Sequence, residues 1–99
     1  MRRTARVQVR WADLDGYGHV NNAALFTLLE EARVQILWAS DEVDGEPMAV
    51  VDGSYDAVSW TVIARQEAEY LGQIPHHRQP LQIDVWPSKI GGADVEVCY

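Results

Sequence analysis

Apolar and polar residues alternate from Ala5 to Trp11, with Ala5, Val7, Val9 and Trp11 on one side and Arg6, Gln8 and Arg10 on the other. A period of two predicts a half-buried strand. Gly16 and Gly18 break the pattern and open positive φ to the backbone. The period then lengthens. From Ala23 to about Ser40, Leu25, Leu28, Leu29, Ala32 and Ile36 form a helical stripe, widened by Phe26, Leu37 and Trp38. Thr27, Glu30, Glu31, Arg33 and Gln35 make a narrow polar side, which predicts a helix embedded in a core. Asn21 or Asn22 is its cap.

The stretch from Ser40 to Ser54 reads as an acidic loop, with Met48 to Val51 as a short strand or turn inside it. Extended patterning resumes with Val58, Trp60, Val62 and Ala64, and runs on through Glu67, Ala68, Glu69 and Tyr70. Pro75 and Pro80 bracket a turn. Leu81, Ile83 and Val85 alternate with Gln82, Asp84 and Trp86 in a strand expected to weaken at Pro87. Ser88 to Gly92 reads as a turn, and Asp94 to Tyr99 as a last strand. One long helix followed by consecutive strands predicts an α+β fold with a mostly antiparallel sheet wrapped around that helix.

At 99 residues the chain is expected to be a single domain, 1–99, and association would help so small a core. A hydrophobic content of 47% excludes disorder as the default. The net charge is −7 and the cations are dispersed, so nucleic acid is a poor partner. No apolar stretch approaches the ~18 residues of a membrane span, and the basic start lacks the apolar core of a signal peptide. Cys98 is alone, which gives a disulfide framework no support and leaves the cytoplasm as the default setting.

The candidate chemistry lies in Arg10-Trp11-Ala12-Asp13-Leu14-Asp15-Gly16-Tyr17-Gly18-His19-Val20-Asn21-Asn22. A strand enters this run and a helix leaves it. A carboxylate facing the amide end of a helix is suited to attack on an activated carbonyl. On spacing alone, Asp13 and Asp15 read first as turn formers. The run also begins like a calcium loop. The EF-hand pattern then fails, because Tyr17 and Ala24 stand where oxygen ligands belong. Adjacent His76 and His77 diverge on a regular element, so no metal site is expected. The chain has no Gly-x-Ser-x-Gly elbow, phosphate loop or dinucleotide fingerprint, and Cys98 has no matched histidine nearby in sequence.

The whole run closely resembles the motif of the hot-dog-fold acyl-CoA thioesterases of the 4-hydroxybenzoyl-CoA thioesterase type. Arg65 to Leu71 resembles that family's second long strand and Ser88 to Ala93 its next hairpin. A further long strand of the family has no counterpart, so the domain is expected to be C-terminally incomplete, either as a fragment or as a sheet that lacks its last strand and has an open edge. The resemblance implies hydrolysis of an acyl-CoA thioester, with CoA entering as part of the substrate and no separate cofactor. It places Asp15 on the catalytic carboxylate, as nucleophile or general base, and the Asn22 backbone N–H on the oxyanion donor. His19 alone reads as structural; within the motif it is implied as an accessory that hydrogen-bonds the thioester or orients Asp15 or the loop. Tyr17 and Gly18 are expected at the substrate. Leu25 stands where the family usually has an aromatic, which reshapes the acyl pocket. Lys89, with Arg65 and Arg78, is a candidate for CoA phosphates, although each reads first as solvated surface charge. Glu30, used as a base in some hot-dog enzymes, is expected to pair with Arg33. The family builds its sites between subunits, so a homodimer or homotetramer is implied. The alternatives are hydrolysis of acyl groups from an acyl carrier protein, and a non-catalytic module that binds acyl-CoA or a protein.

Overall fold

Three strands and one helix follow from these periods in a computed structural model, which describes residues 2–37, 62–92 and 94–99. Strand β1 is Arg3–Val7, helix α1 is Asn22–Leu37, strand β2 is Leu81–Ile90 and strand β3 is Val95–Cys98. The sheet is antiparallel, in the order β1-β2-β3. The expected short element at Met48 to Val51, the acidic loop, Val58, Trp60 and the helix residues beyond Leu37 lie outside the described residues.

The alternating pattern of β1 is half correct. Ala5, Val7 and Val9 are buried on the core side, as expected. The strand ends at Val7, however, and Trp11 is 78% exposed. The reason is local: Trp11–Asp13 curls into a 3-10 turn, closed by the Asp13 N–H donating to the Arg10 carbonyl at 2.9 Å. The curl swings Trp11 out of the sheet's alternation.

Helix α1 forms where the stripe predicts. Leu28, Ala32, Ile36 and Leu37 are buried, and Leu25 and Leu29 pack at the edge of the same core. Thr27, Glu30, Glu31 and Gln35 face outward. Val34 is also on the exposed side, so the helix is buried along one face rather than enclosed. It packs against β1 and β2, where Ala5, Val7, Ile83 and Val85 complete the core. Ala32 and Val85 are fully buried.

Strand β2 spans both neighbours. Leu81 to Val85 pairs with β1, and Trp86 to Ile90 pairs with β3. Pro87 does not end it. The proline sits beside a register shift between Pro87 and Lys89, the kind of irregularity where a missing N–H costs the ladder little. The turn to β3 is closed by the Gly91 N–H on the Asp94 carbonyl at 2.8 Å.

The second long strand expected around Arg65 to Leu71 is absent as a strand. Residues 62–71 are exposed and pair with no strand among the described residues. Alternation gives a segment two faces, but a strand also requires a neighbouring backbone to accept its hydrogen bonds.

Candidate functional site

The run from Asp13 to Asn21 folds as a small hairpin between β1 and α1. The Asn21 N–H donates to the Asp13 carbonyl at 2.8 Å, Leu14 bridges Val20, and the Asp15 N–H donates to the His19 carbonyl at 2.8 Å. At the tip, the Gly18 N–H reaches the Asp15 carbonyl at 3.2 Å. Gly18 has φ 78°, a left-handed conformation that glycine adopts without Cβ strain.

Asp15 turns its side chain into this tip. Its Oδ1 accepts the Tyr17 N–H at 2.8 Å and the His19 N–H at 3.2 Å. These bonds, that from His19 first, hold the carboxyl below the usual carboxylate range. Asp15 is therefore ionised at neutral pH, and Oδ2 carries no hydrogen bond among the described residues.

The hairpin delivers the chain to the helix start. Asn21 is the cap: its Oδ1 accepts the Ala23 N–H at 2.8 Å, and its carbonyl accepts the Leu25 N–H at 3.0 Å. The Asn22 N–H has no acceptor among the described residues, as expected of a first-turn amide at the positive end of the helix. The Tyr70 hydroxyl donates to the Asn22 carbonyl at 3.1 Å, which ties the exposed segment 62–71 to this end of the helix.

A second segment borders the hairpin. The Val20 N–H donates to the Ile74 carbonyl at 2.8 Å, and His19 bridges Pro75. His76 then meets Trp11 edge to face, with ring centroids 5.4 Å apart. His19 is half-buried, and its Nδ1 is buried without a hydrogen-bond partner among the described residues.

Below the tip lies Asp13, 2% exposed and the buried acidic residue of the region. Its Oδ2 accepts the Arg10 backbone N–H at 2.8 Å and the Arg10 Nε at 3.3 Å, and its Oδ1 accepts a guanidinium nitrogen at 2.8 Å. The Arg10 bond holds the Asp13 carboxyl below its ordinary value against the opposing effect of burial. The same bond raises the Arg10 guanidinium.

The fold thus brings Asp15, Tyr17, Gly18, His19 and the Asn22 N–H onto one hairpin and helix start. Tyr17 is 87% exposed, and Leu25 sits half-buried one turn into α1. Lys89 is elsewhere. It stands exposed opposite Glu96, eight residues up β2 from Leu81, roughly 26 Å along the strand from the end that adjoins the hairpin. Arg65 is exposed and pairs with Glu67 at 2.9 Å. Glu30 faces Arg33 at 3.8 Å, as expected, and Arg33 also donates to the Tyr99 hydroxyl at 3.1 Å. Sequence reasoning missed the parts played by Arg10, Ile74, Pro75 and Tyr70, and treated Asp13 as a turn former. The i,i+3 spacing of Arg10 and Asp13 was the available signal for the first pair. Nothing local signals the docking of residues 70–76.

The family model of the thioesterase-like superfamily matches residues 9–99. An uncharacterized protein, YsmA of Bacillus subtilis (strain 168), is 28% identical over 94 residues. The match takes in 95% of this chain and 56% of that relative, so the chain spans little more than half of the relative's length. No solved structure matches.

Proposed function

Because the chain belongs to the thioesterase-like superfamily, whose hot-dog fold accounts for the long helix and antiparallel strands among the described residues, we propose that it hydrolyses an acyl-CoA thioester, in the manner of the 4-hydroxybenzoyl-CoA thioesterase type. Water and acyl-CoA give a carboxylic acid and CoA. One observation carries the reading: the hairpin holds the ionised Asp15 carboxylate by one oxygen and ends at a helix start whose Asn22 N–H is unclaimed among the described residues. Asp15 supplies its other oxygen, as nucleophile at the thioester carbonyl or as base for the attacking water. The Asn22 N–H stabilises the oxyanion that forms on the carbonyl oxygen. His19 flanks the reacting group, and Tyr17, Gly18 and Leu25 border the acyl-pantetheine path. A thioester is already activated, so an oriented carboxylate and an amide donor suffice.

No separate cofactor enters this scheme. The active unit in this reading is a cytoplasmic homodimer or homotetramer of one-domain subunits, and Lys89 meets CoA phosphates from a neighbouring subunit. Among the described residues no helix is long and apolar enough to cross a membrane. A net charge of −7 disfavours an acidic carrier protein over free acyl-CoA. Binding without turnover is the second reading, because an aspartate accepting amides two and four residues on is also a structural turn.

The test is release of CoA thiol from short, long and aromatic acyl-CoAs by wild type and Asp15→Asn. The expected result is turnover that falls at least ~100-fold in the variant, the scale of losing a general base or nucleophile. Turnover that survives the substitution would remove Asp15 from the chemistry, and acyl-CoA binding with no turnover would favour the second reading.

A further inference from the structure

The hairpin has an open tip and a closed base. At the tip, Asp15 is held by backbone amides of its own turn. At the base, the bonds from Arg10 and from Asn21 meet at Asp13. Its N–H and carboxylate close onto Arg10, on the incoming side of the loop. Its carbonyl takes the Asn21 N–H, on the outgoing side, and Asn21 in turn caps α1. Both parts of the proposed site are therefore one short step from this residue: Asp15 is two positions on, and Asn22 follows the residue bonded to its carbonyl.

The chemistry of Asp13 exceeds what a three-residue turn requires. At this third position of the turn a neutral side chain could accept the Arg10 N–H with a single oxygen. Here a carboxylate is 2% exposed, and a buried charge is tolerated only when it is well bonded. The bonding comes from a single residue, Arg10, through its backbone N–H and its guanidinium. The Arg10 side chain is itself 65% exposed, so it closes over the carboxylate from the solvent side. A charge-assisted pair with two contacts from the fork of a guanidinium fixes orientation as well as distance.

We infer that Asp13, clasped by Arg10, is the positioning residue that fixes the Asp15 hairpin and the start of α1 in one geometry. The inference rests on the proposed hydrolysis for its catalytic meaning, though the clasp itself is a property of the fold. Loosening the base lets the tip open, so that the Tyr17 and His19 amides no longer hold Oδ1 of Asp15. The carboxylate and the oxyanion donor then lose their fixed separation, an error that costs rate more than binding.

Asp13→Asn tests this with a readout that opposes simple electrostatics. Deleting a negative charge near Asp15 would by itself lower the Asp15 pKa, whereas losing the two amide donors raises it. The Asp15 carboxyl is titrated by carbon-detected NMR in the folded wild type and variant, and acyl-CoA turnover is measured in parallel. The expected result is an upward shift of the Asp15 titration, with kcat falling about tenfold and KM changing less than about twofold. A downward or absent shift overturns the inference, whatever happens to stability. If Asp13→Asn does not fold, Arg10→Gln removes only the exposed half of the clasp, and amide exchange at Tyr17 and His19 decides: faster exchange supports the clasp and unchanged exchange overturns it. Wild type that turns over no thioester defeats the proposed function, while the titration and exchange still decide the clasp.

Discussion

A carboxylate that accepts N–H bonds in the folded chain loses them on protonation, so a depressed pKa is also a statement about stability. Asp13 and Asp15 both titrate below their ordinary value, the first through Arg10 and the second through the His19 and Tyr17 amides. Unfolded, each group protonates near 3.8; folded, each protonates lower. Their contribution is complete above the unfolded value and disappears as pH falls through the folded ones. The thermal midpoint is therefore expected to drop as pH falls below about 4, and Asp15→Asn to flatten part of that fall. Midpoints measured across the acid range test this, and coincident wild-type and variant slopes would mean that the tip amides do not hold Asp15 in solution. The same ionisation bears on the proposed hydrolysis, because Asp15 remains charged across the neutral range in which that reading needs a nucleophile or base.

At the scale of elements, the helix was the most legible part of the chain. The recurrence of Leu25, Leu28, Ala32 and Ile36 is a 3.6-residue stripe, and those positions face the core. Asn21 is the stop that makes the start of α1 sharp. Asn21→Ala removes the acceptor for the Ala23 N–H and is expected to cost about 1 kcal/mol, or roughly 4–8 °C in thermal midpoint. A thermal melt decides it, and an unchanged midpoint would mean that water satisfies that amide equally well. The strands were less legible, for a physical reason. Trp11 continues the alternation of Ala5, Val7 and Val9, yet the Arg10–Asp13 clasp bends the chain before it. Pro87 looks like an end to β2, yet the register shift beside it lets pairing continue. In both places a contact at one or two residues overrides a period summed over many.

The candidate site divides in the same way at the scale of the molecule. The Asp15 motif, the glycine turn and the helix cap are contiguous, so thirteen adjacent residues carried them in the sequence. The neighbours at Tyr70, Ile74, Pro75 and His76 come from a segment far along the chain, and only folding places them there. That segment also bears on association. Val62 is 81% exposed and Leu71 87% exposed, with Ile63 and Tyr70 about half exposed between them, on a stretch with unpaired backbone among the described residues. Extended apolar backbone left in water is a template for pairing with another chain. The molecule is therefore expected to sediment as a dimer or larger species, in keeping with the oligomer proposed for the active unit. Replacing Val62 and Leu71 together by serine is expected to shift that equilibrium toward monomer while leaving the α1 core, to which neither contributes, intact. Sedimentation velocity over a broad concentration range checks both. A wild type that remains monomeric throughout would require each site to be complete within one chain, and would remove the proposed route from Lys89 to the substrate of a neighbouring subunit.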